Sequence, residues 1–548
     1  MKIRCILIII AVLVLFCSCS GKKSEREIKE EFLSQIDYDK GLEDTFQVSM
    51  DGRRTAYVMQ ENDEYYMVVD NKTHKAYKNM FMGPSIFSPD GQRTAYGASN
   101  ELSDEAKWFI VTDEKEGRQY DGILANCPVF SPDSRKIMYA AFLGDQWSVV
   151  VDEKEDPNRY NGLLEGTPVF APDSRSYIYA GLKEDKWAVV FNGNEDKKAY
   201  EGILENTPVF SSDSRNYYYG AVLDGRWVMV KNGAEDNYAF DGLLKDTPVL
   251  SPDGKRYIYA GYRGEKWVVI IDGKEENTFD NVGDLLFSPD SRNYAYWGLE
   301  GEKLCIVVNG KNVGEYRDCL VKTLSFSPDS SQWSLIVIKD EKNLFVINGR
   351  EEKIYDKVIS EPLTWSPDSR RYAYCCKEGE DWIVVVDGIE QKRYRDILQG
   401  TPVFSPDSKR FAYGGMENSK WVVVVDGREE EIYDGIMEQT PIFSPDGKSV
   451  FYVGISGEEW VPVLNGVQLG RFEGISSAPP VFSPDNSSII YGVFQGEKAC
   501  VYINDFPGEL YDSIISTGGG KFMFDETGRL YYLAVKENSN IYKVTVEL

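Results

Sequence analysis

Read as apolar and polar positions alone, the chain is a train of short apolar runs separated by polar turns, and the same order of runs returns about every forty residues. Residues 401–439 show one unit. Pro402-Val403-Phe404 is a short apolar run, and Ser405-Pro406-Asp407-Ser408 is a turn in which proline presets φ at the second position. Arg410-Phe411-Ala412-Tyr413 alternates like a half-buried strand, and Glu417-Asn418-Ser419-Lys420 is a polar turn. Trp421-Val422-Val423-Val424-Val425 is a continuous apolar strand of the kind covered on both faces. Asp426-Gly427 is a strong hairpin signal, and Glu429-Glu430-Glu431-Ile432-Tyr433 is a last strand whose charge guards an open edge. Each unit therefore predicts four antiparallel strands, and no segment shows helical periodicity.

The Phe-Ser-Pro-Asp turn, or a close variant, marks the copies. Its aspartate falls at Asp51, Asp90, Asp133, Asp173, Asp213, Asp253, Asp290, Asp329, Asp368, Asp407, Asp446 and Asp485, with spacings of 37 to 43 residues, and a degraded copy runs from Phe524 to Arg529. Four strands in about forty residues is the size of a propeller blade. The expectation is an all-β chain of about 13 four-stranded blades. That exceeds the four to eight blades usual in one ring, so two tandem rings of six and seven blades are expected, 31–280 and 281–548. The boundary falls where the shortest spacing ends at Asp290 and where the Thr-Pro pair seen at Thr167, Thr207, Thr247 and Thr401 is missing. Seven then six blades, or a single ring, are the alternatives. The last unit runs out after its third strand, at Ile541 to Leu548. Tyr38-Asp39-Lys40-Gly41-Leu42 matches Tyr433-Asp434-Gly435-Ile436, so residues 34–42 are expected to supply the outer strand of the last blade.

These units resemble the Phe-Ser-Pro-Asp-Gly propeller repeats of the TolB family and its WD-repeat-like relatives, over about residues 31–548. The resemblance implies a β-propeller and little about function, because blades host many activities. TolB also carries a separate α/β domain before its propeller. This chain has none in its sequence pattern, so a role in the Tol system does not carry over.

Ahead of the repeats, Lys2 and Arg4 precede an unbroken apolar run from Ile6 to Phe16, which fits a signal-peptide core and is too short to span a membrane. Phe16-Cys17-Ser18-Cys19-Ser20-Gly21 follows. A small residue directly before a cysteine resembles the lipobox of bacterial lipoproteins, with Cys19 as the lipidated residue, although Cys17 stands where a small residue is usual. The rival reading is an ordinary cleaved signal. Residues 1–18 are thus expected to be a lipoprotein signal peptide and 19–30 a charged tether, with the mature protein lipid-anchored and exported, on the periplasmic side of an outer membrane or at the cell surface. Formal net charge is −27, and loss of Lys2 and Arg4 with the leader takes it to −29. Such a surface serves solubility and repels phosphate backbones, so no nucleic-acid partner is expected.

Candidate chemistry is sparse. The six cysteines beyond the leader, Cys127, Cys305, Cys319, Cys375, Cys376 and Cys500, show no metal-ligand or disulfide spacing. His74 is the one histidine and reads as a solvated surface residue. No catalytic elbow, phosphate loop or calcium loop is present, and no metal or cofactor is expected. The repeated turn aspartate reads as an acceptor for nearby backbone N–H groups. The feature with most functional promise is a tryptophan at the start of the third strand, at Trp108, Trp147, Trp187, Trp227, Trp267, Trp382, Trp421 and Trp460. From Trp147 onward these form the candidate binding surface for sugar or peptide; the competing reading is packing between blades. The loops that lead from the fourth strand into the next unit, such as 160–166, are near-identical between copies and are expected on the same face as the tryptophans. The expected function is a non-catalytic, membrane-tethered scaffold for a protein or envelope polymer. The alternative is a carbohydrate-acting envelope hydrolase or lyase using carboxylates at a ring mouth.

Overall fold

A computed structural model describes residues 26–548 except 38, 43, 104, 360–362 and 516–520. Cys19 and the leader lie outside the described residues. Within them every regular element is a β-strand, and the strands form thirteen antiparallel sheets, one per blade, arranged as a β-propeller ring. The tenth blade follows the pattern above. Val403–Phe404 pairs with Phe411–Glu417, which pairs with Lys420–Val425, which pairs with the mostly exposed Arg428–Tyr433 at the rim.

The innermost strand is more elaborate than the sequence pattern foretold. It is split in ten of the thirteen sheets, so that Asp396–Ile397 and Val403–Phe404 both pair with Phe411–Glu417 at its two ends. Between the halves the chain bulges on the inner edge of the blade. In the fourth blade Gly162–Leu163 pairs with the middle of the sheet, Glu165 and Gly166 stand exposed, and the Thr167 hydroxyl donates to the Leu164 carbonyl at 2.7 Å. The same bond recurs from Thr207, Thr401 and Thr440 at 2.7 Å, which explains the threonine of the Thr-Pro pair. The 160–166 segment begins beside the tryptophans, as expected, with Tyr160 bridging Trp147 and the Asn161 side chain accepting from the Glu184 N–H, and then runs on to the ring's inner edge.

Apolar clusters lie between blades, as a continuous apolar third strand requires. Tyr394, ending the ninth blade, packs on Gly415 of the tenth, where a Cβ would lie 2.6 Å from its ring. The clusters run in one cyclic order. The sixth and seventh blades share Ile258, Val269, Phe287 and Tyr296, and the thirteenth meets the first through Leu533, Ile541 and Val48. The expected division near residue 280 into rings of six and seven has no counterpart in this packing. What marked it is a local variant: in the seventh blade the first strand, Asn281–Phe287, is continuous apart from a bulge and so needs no Thr-Pro pair.

Closure is achieved by the N-terminal segment, but one step earlier in the chain than the motif indicated. Ile28–Gln35 pairs antiparallel with Asn540–Val546 as the fourth strand of the last blade, from Ile28 opposite Val546 to Gln35 opposite Asn540. The fold thus takes in the end of the segment expected to be tether. Gly41 instead bridges Met59 of the first blade. The alignment with Gly435–Ile436 was right, but that pair begins the inner strand of the eleventh blade rather than ending the tenth.

Candidate binding face

Two faces of the ring can be told apart. One carries the Ser-Pro-Asp turns and the hairpins between third and fourth strands; the other carries the turns between second and third strands and the tryptophans. On the first face each aspartate is a structural acceptor. Asp407 Oδ1 accepts from Ser405 Oγ at 2.7 Å and from the Lys409 N–H at 3.2 Å, while Ser405 Oγ accepts from the Arg410 N–H at 2.9 Å. These donors hold Asp407 at about 2, below the usual carboxylate range. The turn also links blades. The Asp133 N–H donates to Ser174 Oγ, Asp173 to Ser214, Asp329 to Ser369 and Asp368 to Ser408, all at 2.9 Å. Each accepting serine sits at φ of 60 to 66°, a left-handed conformation that L-residues seldom adopt. The bond to the neighbouring blade accounts for its being held there. Sequence reasoning identified the aspartate and missed the serine, whose signal was its return one position after seven of the twelve aspartates.

On the second face, Trp147, Trp187, Trp227, Trp267, Trp382, Trp421 and Trp460, with Trp108, stand one per blade, each just after the turn that opens the third strand, and all are half-buried. Each lies opposite an aromatic residue that ends its blade: Trp187 opposite Tyr200, Trp267 opposite Phe279, Trp382 opposite Tyr394, Trp421 opposite Tyr433. They pack against inter-blade clusters while keeping one edge in solvent. The fold spaces them around the ring and gathers them at no single point. Beside them a lysine and an aspartate tie successive blades. Lys266 reaches Asp280 at 2.6 Å, and Asp280 accepts from the Gly301 N–H of the next blade, also at 2.6 Å. Lys342, Asp356 and Gly379 repeat the arrangement at 2.8 and 2.7 Å. Where Leu304 replaces the tryptophan, an open groove of about 660 Å³ is lined by Trp297, Leu304, Arg317 and Val321.

His74 is not a solvated residue. Its side chain is covered, its Nδ1 lies 3.3 Å from the Tyr96 hydroxyl, and burial lowers its pKa. The six cysteines are buried among strands, and burial pushes the thiols of Cys319 and Cys376 up to about 12. Among the described residues no three His, Cys, Asp or Glu side chains converge on a point where a metal ion could sit.

The fold and its two faces define a β-propeller. No protein-family model matches the chain, and no curated protein matches it. Solved structures that align with it include a crystal structure of the eukaryotic initiation factor, at 13% identity and TM-score 0.28, covering 69% of this chain and 96% of that one. TolB from Acinetobacter baumannii aligns at 12% and 0.21, covering 53% and 79%. The Cps50 (Swd1) β-propeller domain of Myceliophteria thermophila aligns at 11% and 0.20, covering 56% and 98%. At these values the likeness bears on no question of function.

Proposed function

We propose that this chain is a non-catalytic scaffold, tethered to a membrane through lipid on Cys19, that binds a protein or envelope polymer outside the cytoplasm. The observation that carries this reading is repetition. On one face eight blades present a half-buried tryptophan just after a polar turn, and a display of equivalent stations suits an extended or repeating partner that engages several at once. Chemistry on a substrate calls instead for unlike groups brought together at one point. The net charge of −27 sets the partner's character as neutral or basic, and not a nucleic acid.

The test is capture from envelope extract by the tagged mature protein, alongside co-sedimentation with purified envelope polymer. Reversing the exposed turn residues Glu265→Lys, Glu302→Lys and Glu458→Lys on the tryptophan face is expected to abolish capture at unchanged melting temperature. Capture that survives those changes contradicts the assignment of the face, and turnover of an envelope glycan by the purified protein contradicts the scaffold. For the anchor, Cys19→Ala is expected to release the protein from membranes. Retention of that variant, with no fatty acid incorporated by wild type, overturns the tether.

A further inference from the structure

The two faces differ in charge, and the chain leaves the fold on one of them. The closing strand enters at Ile28, opposite Val546, which itself lies opposite Leu530 at the end of the last Asp525–Arg529 turn. Ile28 and the carboxyl end of the chain are therefore on the Ser-Pro-Asp face, and Glu547 and Leu548 line a cleft with Asp485 and Arg529 of two such turns. Arg26 is held on the same face, its guanidinium 5.3 Å from the Phe506 ring centroid in a third-to-fourth-strand hairpin. Six residues separate Arg26 from Cys19, so the seven steps between them span at most about 25 Å when fully extended.

That face also bears strongly exposed cations. Two residues beyond the turn aspartate stand Arg135, Arg292 and Arg370, each 86% exposed, with Arg215, Lys409 and Lys448 in the same place in other blades. The arginines lie 3.8 to 4.0 Å from their own turn aspartates, longer than a hydrogen bond, while Lys409 and Lys448 lie at 3.1 and 3.0 Å from theirs. On the opposite face the corresponding tips of the second-to-third-strand turns are acidic and exposed: Asp145, Glu265, Glu302, Glu341, Glu380 and Glu458. Both faces carry both signs: on the side from which the N-terminal segment emerges the exposed cations stand beside turn aspartates, which they offset, whereas on the other side the turn tips are acidic without a cation at the same place.

We infer that the Ser-Pro-Asp face is seated on an anionic lipid surface, with the tryptophan face turned away from it toward the partner. This rests on the lipid anchor at Cys19 proposed above. The short span from Arg26 allows little lift from the bilayer, and the crown of arginine and lysine meets headgroup phosphates within a Debye length, while the acidic face is repelled. Solvent-exposed guanidinium groups in a ring match a phosphate-bearing plane.

The experiment uses the full-length protein in its own membranes. Single cysteines are introduced at Arg292→Cys and Lys448→Cys on one face and at Glu265→Cys and Glu458→Cys on the other, and their rates of reaction with a bulky, charged maleimide are compared before and after release into detergent. Fatty-acid incorporation is read in parallel. The expected result is at least a five-fold slowing at 292 and 448 in membranes and none at 265 and 458. Protection at 448 is expected to be lost when Arg135→Glu, Arg370→Glu and Lys409→Glu are combined, changes at exposed positions that spare the fold. Lipid incorporation with equal labelling of both faces, or protection of the acidic face, overturns the seating while leaving the anchor intact. No incorporated lipid and a soluble protein overturns the anchor and the seating with it.

Discussion

The tenth and thirteenth blades reach the same structure by different routes. In the tenth, four strands follow one another in sequence and the rim strand Arg428–Tyr433 is joined to its neighbour by a hairpin. In the thirteenth, the rim strand Ile28–Gln35 comes from the other end of the chain. Yet Glu30 takes the place of Glu429. Glu429 accepts from Tyr394 of the preceding blade at 2.8 Å and from Lys392 at 2.8 Å. Glu30 accepts from Tyr511 of its preceding blade at 2.7 Å and from Lys536 at 2.6 Å. Position in the ring, rather than continuity along the chain, sets which groups meet. The closing strand is held by side chains as well as by the ladder, and it leads directly to the segment that bears Cys19.

The comparison breaks most severely if the borrowed strand is removed. Deleting 28–35 strips the last blade of its rim, unpairs Asn540–Val546 and uncovers the apolar side chains that Ile28 and Leu33 pack against, among them Val546 and Ile541, at a cost on the order of 5 kcal/mol from lost apolar burial and ladder bonds. Thermal unfolding at a lower temperature and aggregation are expected; unchanged melting would show the strand to be dispensable. Acid acts on all blades together. Asp253, Asp407 and Asp446 are held down to about 2 by the turn serine's hydroxyl and then by the following lysine's N–H. A carboxylate with a depressed folded pKa contributes stability present above its unfolded value, about 3.9, and lost as pH falls through the folded value. Denaturation midpoints should therefore drop between about pH 4 and pH 2. Asp196 and Asp236, raised by burial beneath tyrosine hydroxyls, work in the opposite sense and become more favourable as they protonate. Constant stability down to pH 2 would remove the turn aspartates from the account of what holds the blades.

Smaller effects sharpen the comparison. Trp227→Ala truncates a half-buried ring packed on the cluster between the fifth and sixth blades, and about 2 kcal/mol is expected, below the 3–5 typical of fully buried tryptophan; a stable variant that fails to capture partner would make the tryptophan edge a contact residue. Glu30→Ala leaves the buried Tyr511 hydroxyl without its acceptor and should cost about 1–2 kcal/mol. Glu429→Ala should cost a similar amount by chemical denaturation, and a large inequality between the two would mean that the closing blade is not equivalent to the rest.

Much of this was legible because a repeat shows itself many times over. The Asp407 turn, the Phe411–Glu417 and Lys420–Val425 strands and the Asp426-Gly427 hairpin were each placed within a few residues. The bulge closed by Thr167 was not, since two-residue strands such as Gly162–Leu163 leave no periodicity to read. The closing strand was misplaced for a related reason: Ile28–Gln35 carries no turn motif, whereas the recognisable Gly41-Leu42 belongs to the next inner strand. Continuity of packing from the sixth blade to the seventh was hidden by a local change in one inner strand. The tryptophan row was visible, but its half-burial depends on Tyr200, Phe279 and Tyr394 arriving opposite from the rim, a contact set by cross-strand register.

The most direct test of closure by the N-terminal strand is a cross-link. Lys29 faces Thr545 across the ladder, within the reach a disulfide requires, and the six cysteines among the described residues are buried away from oxidant. Lys29→Cys with Thr545→Cys should oxidise almost completely to an intramolecular disulfide in the monomer and raise the melting temperature. Cysteines that stay reduced, or that link two copies, would contradict a ring closed by its own first strand.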